Sequence, residues 1–251
     1  MIDYKLAKRV YECIDNTLLG ATDNEKSVEM FCRHTREMVL ADGSHVASVC
    51  VYPRFVRVTR RALEGTGIAV VSVAGGFPHG QLPLGCKVEE VKYAVGEGAD
   101  EIDVVLNRGL LLAGEENEVV EEIAAMKQAC GTKTMKVIIE TCDLPSSQLI
   151  ERATMLAIDG GADFVKTSTG KAAAGASPEA AMVMLNAIKD KVKISKKTVG
   201  FKAAGGIKMP SDALIYAETA RKIMGDEYVN KQTFRIGASS LTDGMFSILT
   251  K

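Results

Sequence analysis

Gly161-Ala-Asp-Phe-Val-Lys-Thr-Ser-Thr-Gly-Lys171 reads as a buried strand with a lysine in its middle. The apolar pair Phe164-Val165 and the β-branched Thr167 favour extended backbone, and Lys166 lies between them. A lysine amine has an ordinary pKa of about 10.4, and its ammonium is rarely buried without a partner. Either Lys166 reaches outward to solvent, or the protein keeps a buried amine for chemistry. A second segment repeats the pattern: Gly200-Phe-Lys-Ala-Ala-Gly-Gly206 places Lys202 in a small apolar strand that ends in two glycines.

Working outward, eight short apolar or β-branched runs recur near residues 12–18, 47–52, 68–74, 101–106, 134–140, 163–168, 198–203 and 233–237. Helical patterns separate them. Asp23 or Asn24 can cap a helix carrying Val28, Phe31, Cys32 and Val39. Val119, Val120, Ile123 and Met126 share one face of a helix over 115–129. Ser146, Ser177-Pro178 and Met209-Pro210 mark three further helix starts. Eight strand–helix units in 251 residues match the count and size of an α/β protein built as a single (β/α)8 TIM barrel, one domain over 1–251. A doubly wound open sheet is the alternative, but Gly65-Thr-Gly67 lacks a third glycine and precedes a strand, and no phosphate-binding P-loop is present.

Thirty-one basic against 32 acidic residues leave a net charge of -1, without a basic stripe, so nucleic acid is not an expected partner. No apolar run reaches a membrane span and the first residues lack an apolar signal core, so a soluble cytoplasmic protein is expected. The six cysteines form no Cys-x-x-Cys pair and read as free thiols, mostly buried. His34, His45 and His79 show no metal-binding spacing, so neither metal nor cofactor is expected.

Alternation along the strands sends successive side chains to opposite faces. Ile102, Val104, Val137, Ile139, Val165 and Phe201 turn toward the helices. Lys136, Lys166 and Lys202 then point into the barrel with Asp15, Asp103 and Glu140. A satisfied buried ion-pair network is one reading, although such networks often give no net stability. The other is an active site, because barrels place theirs at the C-terminal strand ends. Gly170-Lys171, Gly205-Gly206 and Gly237-Ala-Ser-Ser240 follow the last three strands, where exposed amides and hydroxyls form anion sites; ordinary tight turns are the plainer reading of each.

These segments resemble the deoxyribose-phosphate aldolase family. The residues that carry the resemblance are Phe164-Val-Lys-Thr-Ser-Thr-Gly170, Lys202-Ala-Ala-Gly-Gly-Ile207, Glu101-Ile-Asp-Val-Val105, Lys136-Val-Ile-Ile-Glu140, Val51-Tyr-Pro53 and Arg235-Ile-Gly-Ala-Ser-Ser240. The resemblance implies a metal-free Schiff-base aldolase that reversibly cleaves 2-deoxy-D-ribose 5-phosphate to acetaldehyde and D-glyceraldehyde 3-phosphate, in deoxyribose phosphate catabolism. It implies that Lys166 forms the imine, Lys202 perturbs it and Asp103 transfers protons. Asp15, Thr17, Cys50, Lys136 and Thr167 are expected near the sugar. Gly170, Lys171, Gly205, Gly206, Gly237, Ser239 and Ser240 are expected around the phosphate. Partners are then small phosphosugars and aldehydes; a homodimer is compatible with the sequence. Some family members carry a longer tail ending in tyrosine that assists a proton transfer, whereas this sequence ends Phe246-Ser-Ile-Leu-Thr-Lys251, which leaves such a role open here. A sugar-phosphate isomerase and a catalytically silent phosphosugar-binding regulator are the competing readings. The inward lysines, with no glutamate–histidine pair, disfavour the first. A binder needs no buried pair of amines, which disfavours the second.

Overall fold

A computed structural model of the protein describes residues 3–195 and 197–250; Met1, Ile2, Lys196 and Lys251, read above as part of the chain, lie outside the described residues. A helix, α1 (Tyr4–Glu12), precedes the first strand, β1 (Ile14–Thr17). Then follow α2 (Glu25–Glu37), β2 (Ser48–Val51), α3 (Val56–Ala62), β3 (Ala69–Ala74), α4 (Leu84–Gly96) and β4 (Glu101–Val105). Two helices, α5 (Arg108–Ala113) and α6 (Glu116–Cys130), lead to β5 (Thr134–Ile138). The chain closes with α7 (Ser147–Asp159), β6 (Phe164–Lys166), α8 (Pro178–Ser195), β7 (Gly200–Ala204), α9 (Pro210–Met224), β8 (Phe234–Ala238) and α10 (Leu241–Leu249). All eight strands pair in parallel with their sequence neighbours, and β8 pairs with β1 to close the barrel. This is a (β/α)8 TIM barrel.

The helix starts read from the sequence have their caps. Asn24 accepts from the Ser27 amide at 3.2 Å, Ser146 from the Leu149 amide at 3.2 Å and Ser177 from the Ala180 amide at 3.1 Å. Each satisfies an amide that the first helical turn leaves unpaired. Before α9 the Asp212 carboxylate accepts from the Met209 amide at 3.1 Å. The amphipathic α1, which buries Leu6, Ala7, Val10 and Tyr11, and the short α5 are additions to the expected pattern.

The main core lies between the barrel and its helices. Val49, Val70, Ile102, Val104, Val137, Val165, Phe201 and Ile236 supply the strand side. Burying each such side chain contributes roughly 1.5–3 kcal/mol, so the outward-facing positions hold the helix layer on. With that face apolar, the polar positions of the same strands are left to the interior. Register there puts Lys136 beside Asp103, and Lys202 between Lys166 and Arg235.

Candidate active site

Three lysines converge on one carboxylate. Asp103, fully buried on β4, accepts from Lys166 at 2.8 Å and from Lys202 at 2.7 Å through one oxygen, and from Lys136 at 3.0 Å through the other. Lys202 also meets Asp15 at 2.5 Å. Gly237 makes room for this arrangement: a Cβ there would lie 3.0 Å from the Lys202 Cε.

The cluster includes two residues that the sequence reading did not place in it. Arg235 donates to Asp15 at 2.5 Å and clasps Glu101 at 2.6 and 3.1 Å, and Glu101 in turn pairs with Lys136. Both share strand parity with residues already read as inward, Asp103 and Gly237, so the signal was present two positions away. Glu140 is the converse case. The strand stops at Ile138, Glu140 adopts the left-handed region at φ 51°, and its carboxylate accepts from the Thr169 amide at 3.2 Å and from the Thr169 hydroxyl. It therefore fixes the loop after β6 and does not oppose the lysines.

A cavity of about 400 Å³ opens at the C-terminal ends of the strands. Lys166 lies in its wall with Thr17, Thr169, Gly170, Lys171, Ala204, Gly205, Gly206, Lys208, Gly237 and Ser239. Three larger depressions elsewhere on the surface lack the lysine cluster. Of the residues expected at the sugar and phosphate, Thr17, Gly170, Lys171, Gly205, Gly206, Gly237 and Ser239 line this cavity, whereas Asp15, Cys50, Lys136, Thr167 and Ser240 do not. Asp15, Cys50 and Lys136 are fully buried. Thr167 lies beyond the end of β6 and ties that loop to β7, donating to the Ala204 carbonyl at 3.2 Å and accepting from its amide at 3.0 Å. Ser240 is exposed at the start of α10. Thr169 and Lys208 were not read from the sequence as site residues. Thr169 is held by Glu140, and Lys208 lies just beyond the paired glycines.

Comparison with known proteins fits this geometry. Residues 15–243 match the DeoC/LacD family of aldolases. The chain belongs to that family. A Caenorhabditis elegans protein named "putative deoxyribose-phosphate aldolase" is 41% identical over 239 residues, covering 94% of this chain and 79% of its own length. Two solved structures are also similar. One, titled as a putative deoxyribose-phosphate aldolase from Coccidioides immitis, has a TM-score of 0.81 and 29% identity, over 94% of this chain and 85% of that one. The other, titled "QR15, an Aldolase", has a TM-score of 0.80 and 29% identity, over 100% and 97% of the two chains.

Electrostatics in the aldolase separate the lysines. Burial pushes the Lys166 amine below its ordinary pKa, and the neighbouring Lys202 charge pushes the same way, against the opposing pull of Asp103. Lys202 is equally buried, yet Asp103 and Asp15 together outweigh desolvation and raise it. Lys136 is likewise raised, by Asp103, Glu101 and Asp15 against burial. Burial alone would raise Asp103 and Asp15; the surrounding cations overcome it and hold both well below the usual carboxylate range. Burial pushes the Cys50 thiol up to about 11, so it is not a thiolate near neutral pH. The residues can thus present one nucleophilic amine at a cavity wall, backed by a buried ammonium and a buried carboxylate.

Proposed function

We propose that the protein is a Schiff-base aldolase that reversibly cleaves 2-deoxy-D-ribose 5-phosphate to acetaldehyde and D-glyceraldehyde 3-phosphate, serving deoxyribose phosphate breakdown. The observation that carries this reading is the contrast between two buried lysines on one carboxylate: Lys166 is depressed and reaches the cavity, and Lys202 is raised and remains behind it. Only a neutral amine attacks a carbonyl, so the depressed residue is the nucleophile. The names of the relatives support the substrate.

The Lys166 Nζ adds to the open-chain aldehyde carbon C1, and loss of water gives a protonated imine. Acetaldehyde contains C1 and C2, so the bond that breaks is C2–C3. Its electron pair moves toward the iminium nitrogen and leaves an enamine, while the proton of the C3 hydroxyl departs and C3 becomes the aldehyde of glyceraldehyde 3-phosphate. The enamine then takes a proton at C2, and water releases acetaldehyde and regenerates the Lys166 amine. We assign the proton movements to Asp103 and Lys202 acting with water. Thr17, in the wall of the same cavity, is assigned to orienting the sugar. We assign the phosphate to Gly170, Gly205, Gly206 and Ser239, with Lys171 and Lys208 in the same cavity wall; its binding then contributes to positioning at the reacting carbons.

Borohydride reduction in the presence of acetaldehyde, followed by peptide mass spectrometry, tests this reading. The expected product is stoichiometric N-ethylation of Lys166. Modification of a different lysine, or of none in an enzyme that still cleaves the sugar, would overturn it.

A further inference from the structure

Seven ionisable side chains form one contiguous cluster inside the barrel. Three are carboxylates, Asp15, Glu101 and Asp103; four are bases, Lys136, Lys166, Lys202 and Arg235. With every group ionised, the cluster carries one excess positive charge. The contacts single out which base is in excess. Lys202 lies 2.5 Å from Asp15 and 2.7 Å from Asp103. Arg235 lies 2.5 Å from Asp15 and 2.6 Å from Glu101. Lys136 pairs with Glu101, with Asp103 at 3.0 Å and with Asp15 at 3.7 Å. Among the described residues Lys166 has one carboxylate partner, Asp103 at 2.8 Å, which it shares with the other two lysines.

Arg235 and Glu101 belong to the other end of the barrel. With Phe164, Thr134, Ala47 and Ala69 they border a separate depression at the N-terminal strand ends, and neither lines the cavity that holds Lys166. We propose that Glu101 and Arg235 are positioning residues that fix the charge of the cluster, so that it is neutral only when Lys166 holds no proton. The inference rests on the reading of Lys166 as the imine-forming amine. It extends that reading to two residues that do not touch substrate.

The other groups around Lys166 are few. Asp103 comes from β4, Lys202 from β7, Lys136 from β5, Asp15 from β1 and the Cys50 thiol from β2; β3 contributes Val71 and Val73. From the loops, Lys171 and Lys208 border the cavity. Charge removed at either distant residue therefore has no ready substitute inside the barrel. Loss of the Glu101 charge makes the cluster more positive and disfavours the Lys166 ammonium. Loss of the Arg235 charge makes it more negative and favours that ammonium. Packing roles alone would not give opposite signs.

The test reads the Lys166 amine directly. Competitive labelling with acetic anhydride across pH, followed by peptide mass spectrometry, gives its titration midpoint in the free enzyme without requiring aldol chemistry. Glu101→Gln is expected to move the midpoint down, and Arg235→Gln to move it up, each by about one pH unit, or tenfold in free amine at a fixed pH. Glu101→Gln/Arg235→Gln should return it to the wild-type position, and Arg235→Lys, which keeps the charge, should leave it there. Shifts of the same sign, no shift, or a double variant that fails to return would overturn the proposal. If Arg235→Gln does not fold by circular dichroism, the downward shift in Glu101→Gln and its reversal in the double variant decide the matter. Acetaldehyde and borohydride applied to the same proteins separate the two readings. Wild type that is not trapped at Lys166 removes the imine mechanism, whereas trapping with unshifted midpoints removes only the role of Glu101 and Arg235.

Discussion

Lys166 and Lys202 are register partners on adjacent strands, and both donate to the same Asp103 oxygen. What differs is the second carboxylate: among the described residues Lys202 has Asp15 and Lys166 has none. Two substitutions should therefore separate their roles. Lys166→Ala should abolish both turnover and borohydride trapping; trapping at an undiminished rate would move the nucleophile elsewhere. Lys202→Leu keeps the proposed nucleophile but removes a charge that depresses it, so trapping should slow near neutral pH and recover as pH rises, about tenfold for each unit of upward shift. Coincident pH profiles for Lys202→Leu and wild type would show that Lys202 does not tune Lys166. A buried amine held below its ordinary pKa also costs stability. The sign is opposite to that of a lysine that gains a partner: the unfolded chain binds the proton more tightly, so the penalty is full at low pH and fades as pH rises toward about 10.4. Lys166→Met should accordingly be inactive yet more stable than wild type, by about 1–2 kcal/mol in chemical denaturation near neutral pH; a loss of stability would contradict this.

At the scale of elements, the strand ends decide what could be read from the sequence. Strands of a parallel barrel are buried on both faces, and their β-branched runs stood out from the chain, as did the inward alternation of Lys136, Lys166, Lys202, Asp15 and Asp103. Alternation ends where the strand stops. Glu140 lies two residues beyond β5, in a left-handed turn, and points to Thr169. Thr167 lies just beyond β6 and is taken up by the backbone of β7. Strand ends are set by neighbouring loops, which a strand's own residues do not encode. Two tests belong here. Gly237→Ala places a methyl 3.0 Å from both the Lys202 Cε and the Ala204 Cβ; the lysine stem has to shift, and kcat should fall by at least about tenfold with the fold intact. Ser239→Glu puts a negative charge where the phosphate is assigned. It should raise KM for the phosphorylated sugar sharply while barely affecting turnover of free deoxyribose. Equal losses on both substrates would remove Ser239 from the phosphate site.

For the molecule as a whole, the cluster links acid stability to the barrel interior. Asp15 and Asp103 have depressed native values, so their contribution is present above the unfolded carboxylate pKa of about 3.9 and is lost as pH falls through the native values. The barrel should therefore resist acid down to about pH 4 and lose stability steeply below it, as measured by urea denaturation across pH. Asp103→Leu, which removes the carboxylate that all three lysines share and leaves Lys202 to Asp15 and Lys136 to Glu101, should cost about 3–5 kcal/mol and flatten that acid limb. An acid limb unchanged in a folded Asp103→Leu protein would assign acid sensitivity to other groups.

The ionic cluster also plugs the barrel, with Lys136 and Lys202 fully buried across its width. The cavity above it, with Lys166 in its wall, is therefore closed toward the barrel's interior. On the proposed chemistry, the two-carbon fragment stays tethered at the blind end while the phosphorylated fragment lies nearer the exit. Glyceraldehyde 3-phosphate must leave before acetaldehyde, and in the reverse direction acetaldehyde must enter first. Steady-state synthesis should show that order. If glyceraldehyde 3-phosphate, added first, instead waits productively for acetaldehyde, the tethered two-carbon intermediate is not formed first.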